Sequence, residues 1–163
     1  MTTAPDLPSR SAEEQAALDR LLIELFEQRI TFNQILGLKV VSVRPGDVRG
    51  RIEMKPELVG HAGHGRLHGG VISSVLDAMA GLALMVELGA RHRSETATQV
   101  MHRFARFGTI DMRIDFLRQG IGRHFVATAE VTRLGGRVGS SLMRLVNDEN
   151  LLIATGAASY ILA

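Results

Sequence analysis

Asp77 stands inside the most apolar stretch of the 163-residue chain, the run from Val71 to Leu88. A carboxylate in such surroundings is costly unless it is hydrogen-bonded, paired or protonated. It therefore has either a structural partner, such as a backbone group or an arginine, or a chemical task as general base or nucleophile. Gly69 and Gly70 precede it at the helix start, and the two-turn spacing puts Gly70, Ser73, Ser74 and Asp77 on one helix face. Amides at a helix start, unobstructed by side chains and at the positive end of the dipole, suit an anion or a developing oxyanion. Yet at a rise of ~1.5 Å per residue, Gly70 and Asp77 lie about 10 Å apart along the axis, too far to act on one carbonyl carbon. Two such helices antiparallel about a two-fold axis bring Gly70 of one to Asp77 of the other, so the chemistry predicts a homodimer with two equivalent sites.

Several elements must hold these residues. Ser11-Ala-Glu-Glu14 reads as a capping box, with Glu14 reaching back to the Ser11 amide. Leu18, Leu21, Leu22, Leu25 and Phe26 then recur at helical spacing and form a stripe for a sheet edge or a partner. Leu38–Val43 and Val48–Met54 read as a hairpin about Pro45-Gly46-Asp47, followed by a loop over Pro56–Leu67. From Val71 to Leu88 apolar residues fall on every side, which predicts a central helix enclosed all round. Residues 91–108 suggest a short insertion helix carrying Val100, Phe104 and Phe107 and ended by Gly108.

The last third alternates as strands do, with Ile110, Met112, Ile114 and Phe116 in one strand and Phe125, Ala127, Ala129 and Val131 in the next. Turns fall at Gly120-Ile121-Gly122, Gly135-Gly136 and Asn147-Asp148-Glu149-Asn150, before a final strand from Leu151 to Leu162. Adjacent strands with one long apolar helix imply class α+β, a curved antiparallel sheet wrapped round that helix.

Composition limits the function classes. With 45% hydrophobic and 22% charged residues, the chain suits one globular domain, expected over 11–163 behind a flexible segment 1–10. Having no Cys, it lacks disulfides, cysteine zinc sites and thiol nucleophiles. A net charge of +2 gives no reason to expect nucleic acid, although 17 of the 19 cations are Arg and suit a phosphorylated small ligand. The opening residues contain no apolar run, so a cytoplasmic location is the default. Val71–Ala90 is long enough to cross a bilayer, but a carboxylate such as Asp77 near its middle would cost about 2.5–3.5 kcal/mol, so a helix buried in protein is expected rather than a membrane span.

Leu67-His68-Gly69-Gly70-Val71 followed by Asp77, then Thr109-Ile-Asp-Met-Arg-Ile-Asp-Phe-Leu117, Arg133-Leu-Gly-Gly-Arg137 and an Ala-rich strand through Ser159-Tyr160, resembles the hotdog-fold acyl-CoA thioesterases. Within them the likeness is to the phenylacetate-pathway (PaaI-like) branch. It is greater to the YigI-like medium- and long-chain acyl-CoA thioesterases, which share the extra segment before Thr109. It spans residues 25–163. The resemblance implies that the Gly70 amide polarises the thioester carbonyl and that His68 orients this loop and the substrate. Asp77 of the other subunit would activate water or attack directly, and Thr109 would help hold the water or the carboxylate. It also implies a departure: many relatives carry Asn where this chain has His61, and imidazole titrates near neutrality as an amide does not.

Other candidates complete the set. His61, His64 and His68 with Asp77 have the atoms of a metal site, but their loop shows no recognised ligand spacing and the hydrolysis needs no metal, so neither metal nor cofactor is expected. Gly69, Ser73 and Ser74 line the approach to the substrate. Arg133 and Arg137 could meet the phosphates of coenzyme A or stand in solvent. Phe104 and Phe107 either lid an acyl-chain tunnel or pack as plain core. Two other functions fit the fold class less well. A 3-hydroxyacyl thioester dehydratase presents a different loop around its histidine, and a non-catalytic acyl-CoA binding module joined to DNA-binding helices would need two helices where this N-terminus offers one. Dimers could pair further into dimers of dimers.

Overall fold

The computed structural model describes residues 9–61 and 63–162. In chain order the elements are α1 (Ala12–Glu24), a π-helical turn (Leu25–Arg29), α2 (Thr31–Leu36), β1 (Lys39–Arg44) and β2 (Asp47–Glu53). A 3-10 turn (Pro56–Leu58), β3 (Val59–His61) and β4 (Arg66–Leu67) lead to the long α3 (Gly69–Arg91). Then follow α4 (Ala97–Arg103), a 3-10 turn (Phe104–Arg106), β5 (Gly108–Phe116), β6 (His124–Leu134), β7 (Val138–Asn147) and β8 (Leu152–Ile161). Six strands form one antiparallel sheet in the order β1-β2-β6-β7-β8-β5, and β3 and β4 form a separate two-stranded ribbon.

The sheet curves over α3, which crosses its middle at β6 and β7. Period-2 alternation supplies the inner face: Val48, Gly50 and Ile52 on β2 and Phe125, Ala127 and Ala129 on β6 are buried. Small residues there are a packing requirement. A Cβ on Gly50 would lie 2.5 Å from Met79 Sδ, and one on Gly139 2.5 Å from Leu84 Cδ2, so these strands leave the space that the α3 side chains fill.

Four expectations need correction. Ser11 does cap α1 by accepting from the Glu14 amide, but the Glu14 carboxylate accepts from Ala97 N–H at the start of α4 at 2.8 Å instead of reaching back, because α1 and α4 pack together. The N-terminal region is also more than one helix. After the π-turn, α2 follows and ends at Gly37 in the left-handed region (φ 71°).

The central helix is not enclosed throughout. Met79 to Val86 are buried on every side, whereas Ser73, Ser74, Asp77 and Ala78 stay partly open on one face. Finally, Gly108 does not end the insertion helix but begins β5. The insertion is anchored by Arg10, whose guanidinium donates to the carbonyls of Gly89, His92 and Glu95. The flexible segment expected over 1–10 lies, for residues 1–8, outside the described residues. The 18-residue window of α3 most suited to a membrane is 67% buried within the protein.

Placing Val at Gly50 should therefore overpack the contact with Met79 and Leu38 and cost about 1–3 kcal/mol in urea unfolding, with the m-value unchanged.

Candidate active site

The start of α3 is held by three neighbours. His68 N–H donates to Leu58 O and Leu67 N–H to Gly120 O, each at 2.8 Å. The ribbon also lies directly against His68: a Cβ on Gly60 would fall 2.7 Å from His68 Cα. His68 is the N-cap of α3, and its ring Nδ1 accepts from Gly70 N–H at 2.9 Å, which leaves the neutral ring's proton on Nε2. The Val71 and Ile72 amides close onto His68 O. Gly69 N–H makes no hydrogen bond among the described residues. Thus the amide singled out from the sequence, that of Gly70, is occupied by the capping imidazole, and among the described residues its neighbour is the one without a partner.

Ser73 and Ser74 donate to Gly69 O at 3.1 Å and Gly70 O at 2.7 Å, so both hydroxyl protons are committed to the helix backbone. Two turns along, Asp77 receives two hydroxyls on one oxygen. Thr109 Oγ1 donates to Oδ1 at 2.9 Å, and the Tyr160 hydroxyl is shared between Oδ1 and the Asp77 backbone carbonyl. Thr109 and Tyr160 are cross-strand partners of β5 and β8, so sheet register delivers both to one place. Burial first, and then the Asp77 carboxylate, hold the Tyr160 phenol far above its ordinary value of 10.0, so it stays a donor. Asp77 Oδ2 has no hydrogen bond among the described residues, and Asp77 enters none of the described ion pairs. The arginine partner weighed from the sequence is therefore not what explains this carboxylate.

Asp77, Ser74, Thr109 and Tyr160 border a cavity of about 280 Å³ whose remaining wall is mostly apolar, including Phe26, Ile30, Met85 and Phe107, with Asn33 as its one other polar side chain. The two insertion phenylalanines thus part company: Phe107 lines this cavity, while Phe104 is core and meets Phe107 edge-on at 5.5 Å.

The other candidates lie elsewhere in the chain. Gly70 and Asp77 remain two turns apart on α3 and share no contact. His61 and His64 face each other on the ribbon with their Nδ1 atoms 3.1 Å apart, and among the described residues no group of three metal-ligating side chains forms. Arg133 and Arg137 are exposed at the Gly135-Gly136 turn. Arg91 donates to the Leu134 and Gly135 carbonyls and so ties this turn to the far end of α3, about 21 Å along the helix from Asp77. Sequence reasoning missed Tyr160 as a site residue. Its only signal was being the single tyrosine of the chain, near the end of an Ala-rich strand.

Comparison with known proteins places the chain in a family. Residues 64–154 match the family described as the thioesterase superfamily. The chain is 36% identical over 141 residues to the medium/long-chain acyl-CoA thioesterase YigI of Escherichia coli, a match covering 86% of this chain and 91% of that protein. A crystal structure of a Shewanella oneidensis protein related to the thioesterase superfamily superposes with a TM-score of 0.87 at 37% identity, covering 94% of this chain and 99% of that one. Zebrafish thioesterase superfamily member 2, at 24% identity and a TM-score of 0.67 over 89% of this chain and 96% of its own, shares the fold. With the His-Gly-Gly helix start, the tethered Asp77 and the sheet wrapped round α3 all within or beside the matched residues, this chain belongs to the thioesterase superfamily, the hotdog-fold thioester hydrolases.

Proposed function

We propose that this protein hydrolyses medium- to long-chain acyl-CoA thioesters in the cytoplasm, releasing the free acid and coenzyme A. The observation that carries this reading is the Asp77 carboxylate, with Oδ1 anchored by Thr109 and Tyr160 and Oδ2 unengaged beside an apolar cavity. YigI, of similar length, acts on medium- and long-chain acyl-CoA by its name.

In the reaction Oδ2 takes a proton from water as the water oxygen attacks the thioester carbonyl carbon. The carbonyl oxygen becomes an oxyanion, received by the N–H of Gly69 at the start of α3, with the Gly70 amide joining when the His68 ring releases it. Collapse of the tetrahedral species breaks the C–S bond, and the sulfur leaves with the proton that Asp77 had accepted. Direct attack by Oδ2 on the carbonyl carbon instead expels the coenzyme A thiolate and gives a mixed anhydride; water that opens it at the Asp77 carboxyl carbon releases the acid and leaves solvent oxygen on Asp77.

Because Gly69 and Asp77 of one chain are two turns apart, the donor comes from a second copy. The edge strand β5 supports this pairing: among the described residues no strand pairs with its outer side, and Ile110 on it is 55% exposed. His68 then shapes the donor loop, and His61 on the partner's ribbon orients the water.

Thiol release from a panel of CoA thioesters, acetyl to palmitoyl plus phenylacetyl, tests the activity. Asp77→Asn should lower kcat by about 10²–10⁴-fold with KM within a few-fold, and a fold or KM defect alone would return Asp77 to a structural role. Tyr160→Phe removes one of the two hydroxyls on Oδ1, worth about 1 kcal/mol, and should lower kcat roughly fivefold with KM unchanged. Asp77→Asn and His68→Ala chains, once each alone is found to have lost its activity, should on co-expression regain about a quarter of wild-type activity, since half the dimers are mixed and each has one intact site. Self-contained chains would regain none.

A further inference from the structure

We propose that, with the acyl chain in the cavity beside Asp77 and running along α3 past Gly81, the Met85 side chain sets how many carbons fit. This rests on the hydrolase reading above. Ser74, Asp77, Gly81 and Met85 follow one another at helical spacing and all border the cavity. Polarity changes along that ridge: hydroxyl and carboxylate stand at its N-terminal end, beside Thr109 and Tyr160, and the α3 residues that follow, Gly81 and Met85, carry no polar side chain, while Asn33 on the facing wall donates its amide to Phe26 O.

A thioester bound with its carbonyl at Asp77 thus has one apolar direction for its tail. Gly81, without a side chain, leaves that path open beside the Tyr160 ring, where an added Cβ would already touch at 3.4 Å. The path ends at Met85, about 12 Å down the axis from Asp77. Met85 is only 9% exposed and borders the cavity where α3 passes into the closed core.

The opposite wall comes from the widened π-turn, which supplies Phe26 and leads into Ile30. It is braced by buried Asn33, whose Nδ2 donates to Phe26 O at 3.1 Å. The cavity volume of about 280 Å³ corresponds to roughly nine groups of water size at ~30 Å³ each, the scale of a medium-length alkyl chain. Methionine suits such a floor, since its unbranched thioether adapts to partial filling.

The test compares kcat/KM across even-numbered saturated acyl-CoA thioesters for the wild type, Met85→Ala and Met85→Phe, with thermal melts of each. Met85→Ala should move the optimum to longer chains, gaining about fourfold per methylene newly accommodated, and Met85→Phe should move it to shorter ones. Opposite shifts from one position are not produced by general loosening. An unchanged profile, or the same loss at every length in both variants, overturns the proposal. If Met85→Phe fails to fold, the direction of the Met85→Ala shift decides alone. If the wild type releases no thiol from any thioester, the hydrolase reading fails. The cavity is then judged by calorimetric titration with hexanoate, decanoate and myristate, where Met85→Ala should favour the longer acids relative to wild type, and equal affinities in the two proteins would overturn it.

Discussion

The anchoring of Asp77 Oδ1 by two hydroxyls from adjacent strands, Thr109 on β5 and Tyr160 on β8, ties the helix, the sheet and the cavity into one unit. A carboxylate on the partly open side of a largely buried helix needs partners, and here they come from the sheet that encloses the helix. Satisfying one oxygen in this way leaves the other without a partner among the described residues, next to a mostly apolar space. The same contact that makes the carboxylate tolerable also orients it.

That anchoring depends on how closely α3 sits in the sheet. Gly50 and Gly139 make room for Met79 and Leu84, and Gly81 makes room beside the Tyr160 ring. At the other end of the helix the His68 ring caps the Gly70 amide, while the Gly60 backbone lies against His68. The amide end of α3 is therefore shaped by the ribbon and the carboxylate by the sheet. The rigid helix between them keeps the two about 10 Å apart along its axis, the separation on which the proposal of a site shared between two chains rests.

Much of this was legible in the residue pattern. The alternation of Phe125, Ala127 and Ala129 correctly placed β6 against the core, and the apolar run after Gly70 located the central helix. The cost of a carboxylate in that run singled out Asp77 without reference to relatives. Less legible were contacts between segments distant in sequence. Glu14 fits a capping box by spacing, yet its carboxylate serves α4, since the packing of α1 on α4 offers a better-placed amide. Tyr160 joins Asp77 from 83 residues away, and no local period announces that. Nor does any spacing show that Phe107 lines a cavity while Phe104, three residues earlier, does not.

The sequence by itself determined the element order, the class, the central helix and the placing of the Gly69-Gly70 amides at its start and of Asp77 two turns along it, because hydrophobic period and helix-start chemistry are local properties. Only the tertiary structure decided which amide at the helix start is free, which hydroxyls hold Asp77 and which side chains line the cavity beside it. Those outcomes depend on strand register and on the rotamer of a capping imidazole, which are set when distant segments pack and compete for the same hydrogen bonds.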